Sequence, residues 1–119
     1  MHNQLLEKFF DPTQGVYFVG TTPPKASTDD EQMGVIADKL VERLEMVDYD
    51  GLIVYDIQDE SARIDKPRPF PFMGTRDPRQ YTQVLSTKSE RPVITYKSVS
   101  QRDAAEFTQW LEEAWNTYN

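Results

Sequence analysis

The chain contains no cysteine, which excludes disulfides, cysteine-ligated zinc, iron–sulfur clusters and thiol nucleophiles. Its one histidine is His2, at the extreme amino end. A hydrolytic triad therefore lacks an imidazole base, and a nitrogen-rich metal site lacks ligands. The five glycines, at positions 15, 20, 34, 51 and 74, stand singly. Neither a Rossmann fingerprint nor a P-loop can be built from them. No apolar run approaches the ~20 residues of a membrane span, and no signal-peptide core is present, so no membrane partner is expected and the expected compartment is cytoplasmic. Basic residues are also short: 13 Lys and Arg face 20 Asp and Glu, for a net charge of −7. With no basic stripe, nucleic acid is not an expected partner. Acid–base chemistry is left to carboxylates, Lys, Tyr or a cofactor, and no metal site is expected.

What is present reads as a folded α/β chain. A hydrophobic fraction of 38% with 12% aromatics can pay for one core across 119 residues. Residues 1–14 form an N-terminal helical extension centred on Leu5, Leu6, Phe9 and Phe10, ended by Asp11-Pro12. Val16-Tyr17-Phe18-Val19 is a continuous apolar run, as a parallel strand covered on both faces requires. Thr28 and Glu31 have capping-box spacing, and Met33, Ile36, Leu40, Leu44 and Val47 follow as one helical face. Leu52-Ile53-Val54-Tyr55 is a second strand. A long loop over 61–76 follows, stiffened by Pro67, Pro69 and Pro71. Asp77-Pro78 opens a second helix with Tyr81, Val84 and Leu85 inward, and Pro92 to Tyr96 forms a third strand. Ser100 with Asp103 caps a third helix facing inward through Ala104, Phe107, Leu111 and Ala114, with Trp110 alongside. Residues 15–119 therefore alternate strand and helix three times, which predicts parallel strands in the order 1-2-3 with helices on one face.

The stretch Val19-Gly20-Thr21-Thr22-Pro23-Pro24-Lys25 resembles the Phe-Glu-Phe-Phe-Pro-Pro-Lys/Arg motif that ends the first barrel strand of the methylenetetrahydrofolate reductase family. Asp50-Gly51-Leu52-Ile53-Val54-Tyr55 resembles the second strand of that family. Tyr55 to Glu60 and Arg68-Pro69-Phe70-Pro71-Phe72 are similar to a divergent bacterial branch of it. The resemblance covers about residues 15–119 and implies the first three βα units of a (βα)8 TIM barrel, whose complete form needs ~250 residues. It implies a flavin-dependent oxidoreductase of one-carbon and folate metabolism, with FAD at the carboxyl ends of the strands and a nicotinamide nucleotide as electron donor. A folate-type small molecule is the implied substrate. The family's acidic residue in the first motif aligns with Gly20, which has no proton to give.

Site candidates follow from the strand ends. Asp56 comes directly after a buried strand and is expected to point into the barrel mouth, where it replaces the missing acid. Asp59 and Glu60, further along the loop, read as solvating charge. Thr21, Thr22, Lys25, Tyr55, Gln58 and Tyr96 are the candidate cofactor contacts. The plainer readings are capping for the threonines, a solvated lysine and packed aromatics. Phe70 and Phe72 are a candidate apolar wall, with packing of the long loop as the ordinary role. Arg63 and Arg68 are candidates to meet an anion or neighbouring acids. Three parallel strands alone leave two open edges. The alternative to an enzyme is thus a non-enzymatic barrel fragment, a truncated chain that acts through self-association or a complementary barrel half. A stand-alone α/β binding domain would need those edges covered.

Overall fold

The computed structural model describes residues 4–57, 65–98 and 104–118. Its elements are α1 (Gln4–Phe9), β1 (Phe18–Thr21), α2 (Asp30–Leu44), β2 (Gly51–Val54), α3 (Pro78–Lys88), β3 (Val93–Thr95) and α4 (Ala104–Tyr118). The strands form one parallel sheet in the order β1-β2-β3, as the alternation predicts. Phe18 pairs with Gly51 and Thr21 with Val54, and Leu52 to Val54 then pair with Val93 to Thr95. The first strand sits two residues later than its apolar run. Tyr17 instead donates its N–H to the Asp50 carboxylate and remains largely exposed.

Because side chains alternate along a strand, the register sends Val19, Thr21, Leu52, Val54, Val93 and Thr95 to one face. There Leu52 and Val54 are fully buried. Val54 packs with Met33 and Ala37 of α2 and with Tyr81 and Leu85 of α3, while Leu52 packs with Leu44 and Tyr49. Thr95 completes this face with a 2.7 Å hydrogen bond to the buried Thr82 hydroxyl. The other face carries Phe18, Gly20, Ile53 and Ile94, with Tyr55 and Tyr96 just beyond, and no described helix covers it: both tyrosines and Ile94 stay at least 40% exposed.

Several local expectations are corrected. The N-cap of α2 is Asp29, whose carboxylate accepts the Gln32 N–H at 2.7 Å, so the capping box begun by Thr28 does not form. A carboxylate caps well and also suits the positive end of the helix. The buried stripe of α2 is Met33, Ala37 and Leu44, with Leu40 and Val41 beside it. Ile36 is displaced from that stripe, and Val47 lies past the helix end. Ala37 is fully buried in the cluster with Tyr81 and Leu85 of α3, a role that a count of large apolar residues overlooks. In α3, Asp77 caps and Pro78 opens the helix, with Tyr81 and Leu85 buried. In α4 the half-buried positions are Phe107, Trp110 and Ala114, whereas Ala104 and Leu111 face outward. The caps Ser100 and Asp103 lie outside the described residues. Among the described residues no helix is long and apolar enough to cross a membrane.

Candidate functional site

Parallel pairing brings the carboxyl ends of the three strands to one edge of the sheet, the edge at which α/β proteins build their sites. Thr21, Thr22 and Lys25 leave β1 there, Tyr55 and Asp56 leave β2, and Tyr96 leaves β3. Gln58, Asp59, Glu60 and Arg63 lie outside the described residues.

Alternation divides this group in two. Tyr55 and Tyr96 fall on the open face, with ring centroids 5.7 Å apart and planes crossed at 63°. They are 40% and 51% exposed, so neither is a core aromatic. The Tyr55 ring lies back across Gly20. A Cβ built on Gly20 would collide with that ring and stand 2.9 Å from the Tyr55 hydroxyl. The space that a side chain at position 20 would occupy is thus filled from the neighbouring strand. A glycine inside a strand signals such close approach, but its partner is not legible from spacing.

Asp56 and Thr21 belong to the helix side. The expectation that Asp56 points into the mouth is corrected: its side chain is only 6% exposed and Oδ2 lies 3.3 Å from Lys97 Nζ, itself 10% exposed. The Ser98 N–H also donates to Oδ2 at 3.2 Å. Lys97 Nζ in turn stands 5.3 Å from the ring centroid of Trp110 on α4. Continuing the register beyond Val54 and Thr95 puts Asp56 opposite Lys97, so the two Tyr-charge pairs at neighbouring strand ends were the available signal. Thr21 meets the Tyr81 hydroxyl in a hydrogen bond, and burial pushes the Tyr81 phenol up against the opposing pull of that bond.

Thr22 and Lys25 are exposed. The backbone at Lys25 is nonetheless fixed, because Thr75 pairs with it in an antiparallel bridge. The Ala26 N–H donates to Gly74 O at 3.0 Å and the Arg76 N–H to Pro24 O at 2.8 Å. The Arg76 guanidinium holds the Thr28 carbonyl and the Asp30 carboxylate at 2.7 and 2.6 Å. The proline-rich loop therefore returns to clamp the Pro23-Pro24 turn. Phe70 points away, 75% exposed, and Phe72 carries the Arg68 guanidinium 5.3 Å above its ring, so the two do not form a wall. A groove of about 510 Å³ runs between the end of β1 and α2, lined by Thr21, Lys25, Ile36, Leu40, Arg43 and Tyr81 among others. Neither Tyr55 nor Tyr96 lines it.

The α3 start adds a second charged cluster. Burial pulls the Asp77 carboxyl up, but hydrogen bonds from the Arg79 side chain and N–H outweigh it and hold the group below the usual carboxylate range. Arg79 also binds Glu113 of α4 and sits 5.7 Å from the Trp110 centroid.

No family model matches the chain, and no curated protein matches it. Among solved structures it is similar to an uncharacterized protein from Clostridium thermocellum that binds two copies of 5-methyl-5,6,7,8-tetrahydrofolic acid. The two superpose with a TM-score of 0.67 at 29% identity, over 89% of this chain and 32% of that one. The chain thus spans about a third of that protein's length.

Proposed function

We propose that this chain contributes three βα units to a (βα)8-type barrel and binds a reduced-folate ligand at the carboxyl ends of its strands. The observation that carries the reading is the likeness, across 89% of the chain, to a protein that binds 5-methyltetrahydrofolic acid. The sheet supports it in a second way: helices cover one face, and the uncovered face is apolar and aromatic where a barrel interior would be. Further βα units, from this polypeptide, a complementary half or a second copy, would cover that face and both edges.

The finer proposal is a flavin-dependent oxidoreductase of the methylenetetrahydrofolate reductase type, serving one-carbon and methionine metabolism. It rests on the motif resemblance. The described residues fit FAD only in part. Thr21, Thr22, Tyr55 and Tyr96 could meet its ring system, but the helix N-termini at this edge are already capped by Asp29 and Asp77. That leaves Lys25 to face a pyrophosphate, and the set is not a complete dinucleotide site.

Calorimetric titration with 5-methyltetrahydrofolate tests the main proposal. Saturable binding is expected, and no heat up to ~1 mM ligand, the region of weak millimolar affinity, overturns it. An absorbance spectrum of the same protein tests the finer proposal. A flavin band near one equivalent supports complete barrel assembly, whereas a colourless protein that binds folate retains the folate reading alone.

A further inference from the structure

We infer that Gly20 and Tyr55 act as a specificity pair: the absent side chain at 20 lets Tyr55 place its hydroxyl over β1 as the hydrogen-bonding group for a reduced pterin ring. The inference rests on the folate reading above and names the residues that recognise the ligand. Gly20 has no positive φ, so its backbone does not demand glycine. Glycine in a strand interior weakens the strand, and what it gains here is room. That room is filled by the Tyr55 ring, whose hydroxyl stands 2.9 Å from the position of a residue-20 Cβ.

The tyrosine is not satisfied by the fold alone. Its hydroxyl has no hydrogen-bond partner among the described residues, and the side chain is 40% exposed, so the hydroxyl is open to a ligand. Tyr96 braces the ring edge-on at 5.7 Å and offers its own exposed surface beside it. A reduced pterin has a broad apolar face and an edge rich in donors and acceptors. The Tyr96 surface suits the face, and the Tyr55 phenol, which both donates and accepts, suits the edge. Asp56 cannot take this part, because it is turned to the helix side and held by Lys97.

The test is titration of the full chain with 5-methyltetrahydrofolate in the wild type, Tyr55→Phe, Gly20→Ala, Tyr55→Leu and the double variant Gly20→Ala/Tyr55→Leu. Circular dichroism checks that each is folded. Tyr55→Phe keeps the ring and removes only the hydroxyl, and it should weaken binding roughly fivefold to tenfold, the scale of one hydrogen bond. Gly20→Ala should weaken binding by at least as much, but add nothing in the Tyr55→Leu background, since it acts by displacing that ring. Unchanged affinity in Tyr55→Phe, or equal loss from Gly20→Ala in both backgrounds, overturns the pair while the folate reading stands. A wild-type chain that does not bind removes the folate reading and this inference with it. Should Gly20→Ala fail to fold, Tyr55→Phe decides alone.

Discussion

Lys97 Nζ lies 3.3 Å from Asp56 Oδ2, with both side chains at least nine-tenths buried at the ends of neighbouring parallel strands. The pair locks the carboxyl ends of β2 and β3 together and spans to Trp110 on α4. Neither charge would be tolerated there alone, because desolvation is repaid only through the partner.

Asp56→Ala is therefore expected to destabilise the protein by about 3 kcal/mol, at the lower end for breaking a buried ion pair since Lys97 retains the Trp110 ring. The double variant Asp56→Ala/Lys97→Met removes both charges and should recover much of that loss. Urea unfolding of the single and double variants measures the difference. A double variant no more stable than Asp56→Ala would show that the pair is not coupled.

Acid should weaken the start of α3. The Asp77 carboxyl is held below its ordinary value of 3.8, so the unfolded chain binds this proton more readily than the folded one. Its contribution is fully present above about pH 4 and is lost as pH falls through the lower, folded value. In Asp77→Asn the slope of stability against pH below 4 should flatten. Thermal melts between about pH 2 and 6 follow this directly.

The helix caps provide a contrast between two adjacent residues. Asp29→Ala removes the acceptor for the Gln32 N–H and should cost about 1 kcal/mol. Thr28→Ala should cost a few tenths at most, because the contacts of Thr28 are made by its backbone, the carbonyl accepting from Arg76 and the N–H donating to Lys25 O. Equal losses from the two would restore the capping box to Thr28.

The elements and their parallel order were legible because apolar runs, proline turns and caps recur in strand–helix alternation. Asp77-Pro78 shows how local chemistry alone can fix a boundary. The direction of Asp56 was not legible. A shift of one residue in a strand's end reverses the face, and the run at Leu52 to Tyr55 is apolar on both faces, so it carries no phase. Ala37 was missed for the opposite reason, as a small residue packed in the core leaves little trace in an apolar stripe. Within the site, Tyr55 and Tyr96 could be named from their strand ends, but the meaning of Gly20 depends on a side chain 35 positions away across the sheet.

The last helix should be the least protected part of the described fold. Among the described side chains of α4 none is fully buried, and Leu111 and Trp115 remain exposed. Its attachment runs through Trp110, flanked by the Arg79 guanidinium at 5.7 Å and the Lys97 ammonium at 5.3 Å, and through the Arg79 ion pair with Glu113. Exposed ion pairs contribute little singly, and each cation–π contact about 0.5–1 kcal/mol, so the docking of α4 is weak beside a core contact such as Leu85. Arg79→Ala removes one of the two cations and the Glu113 bond together. Hydrogen exchange of α4 amides should then accelerate by about tenfold, while the amides of β2, whose Leu52 and Val54 are fully buried, should change little. Leu85→Ala should behave oppositely, costing about 3 kcal/mol and raising exchange throughout the sheet and α3. If Arg79→Ala instead accelerated β2 and α4 equally, α4 would be part of the same cooperative unit as the core, and its attachment would be far stronger than these contacts supply.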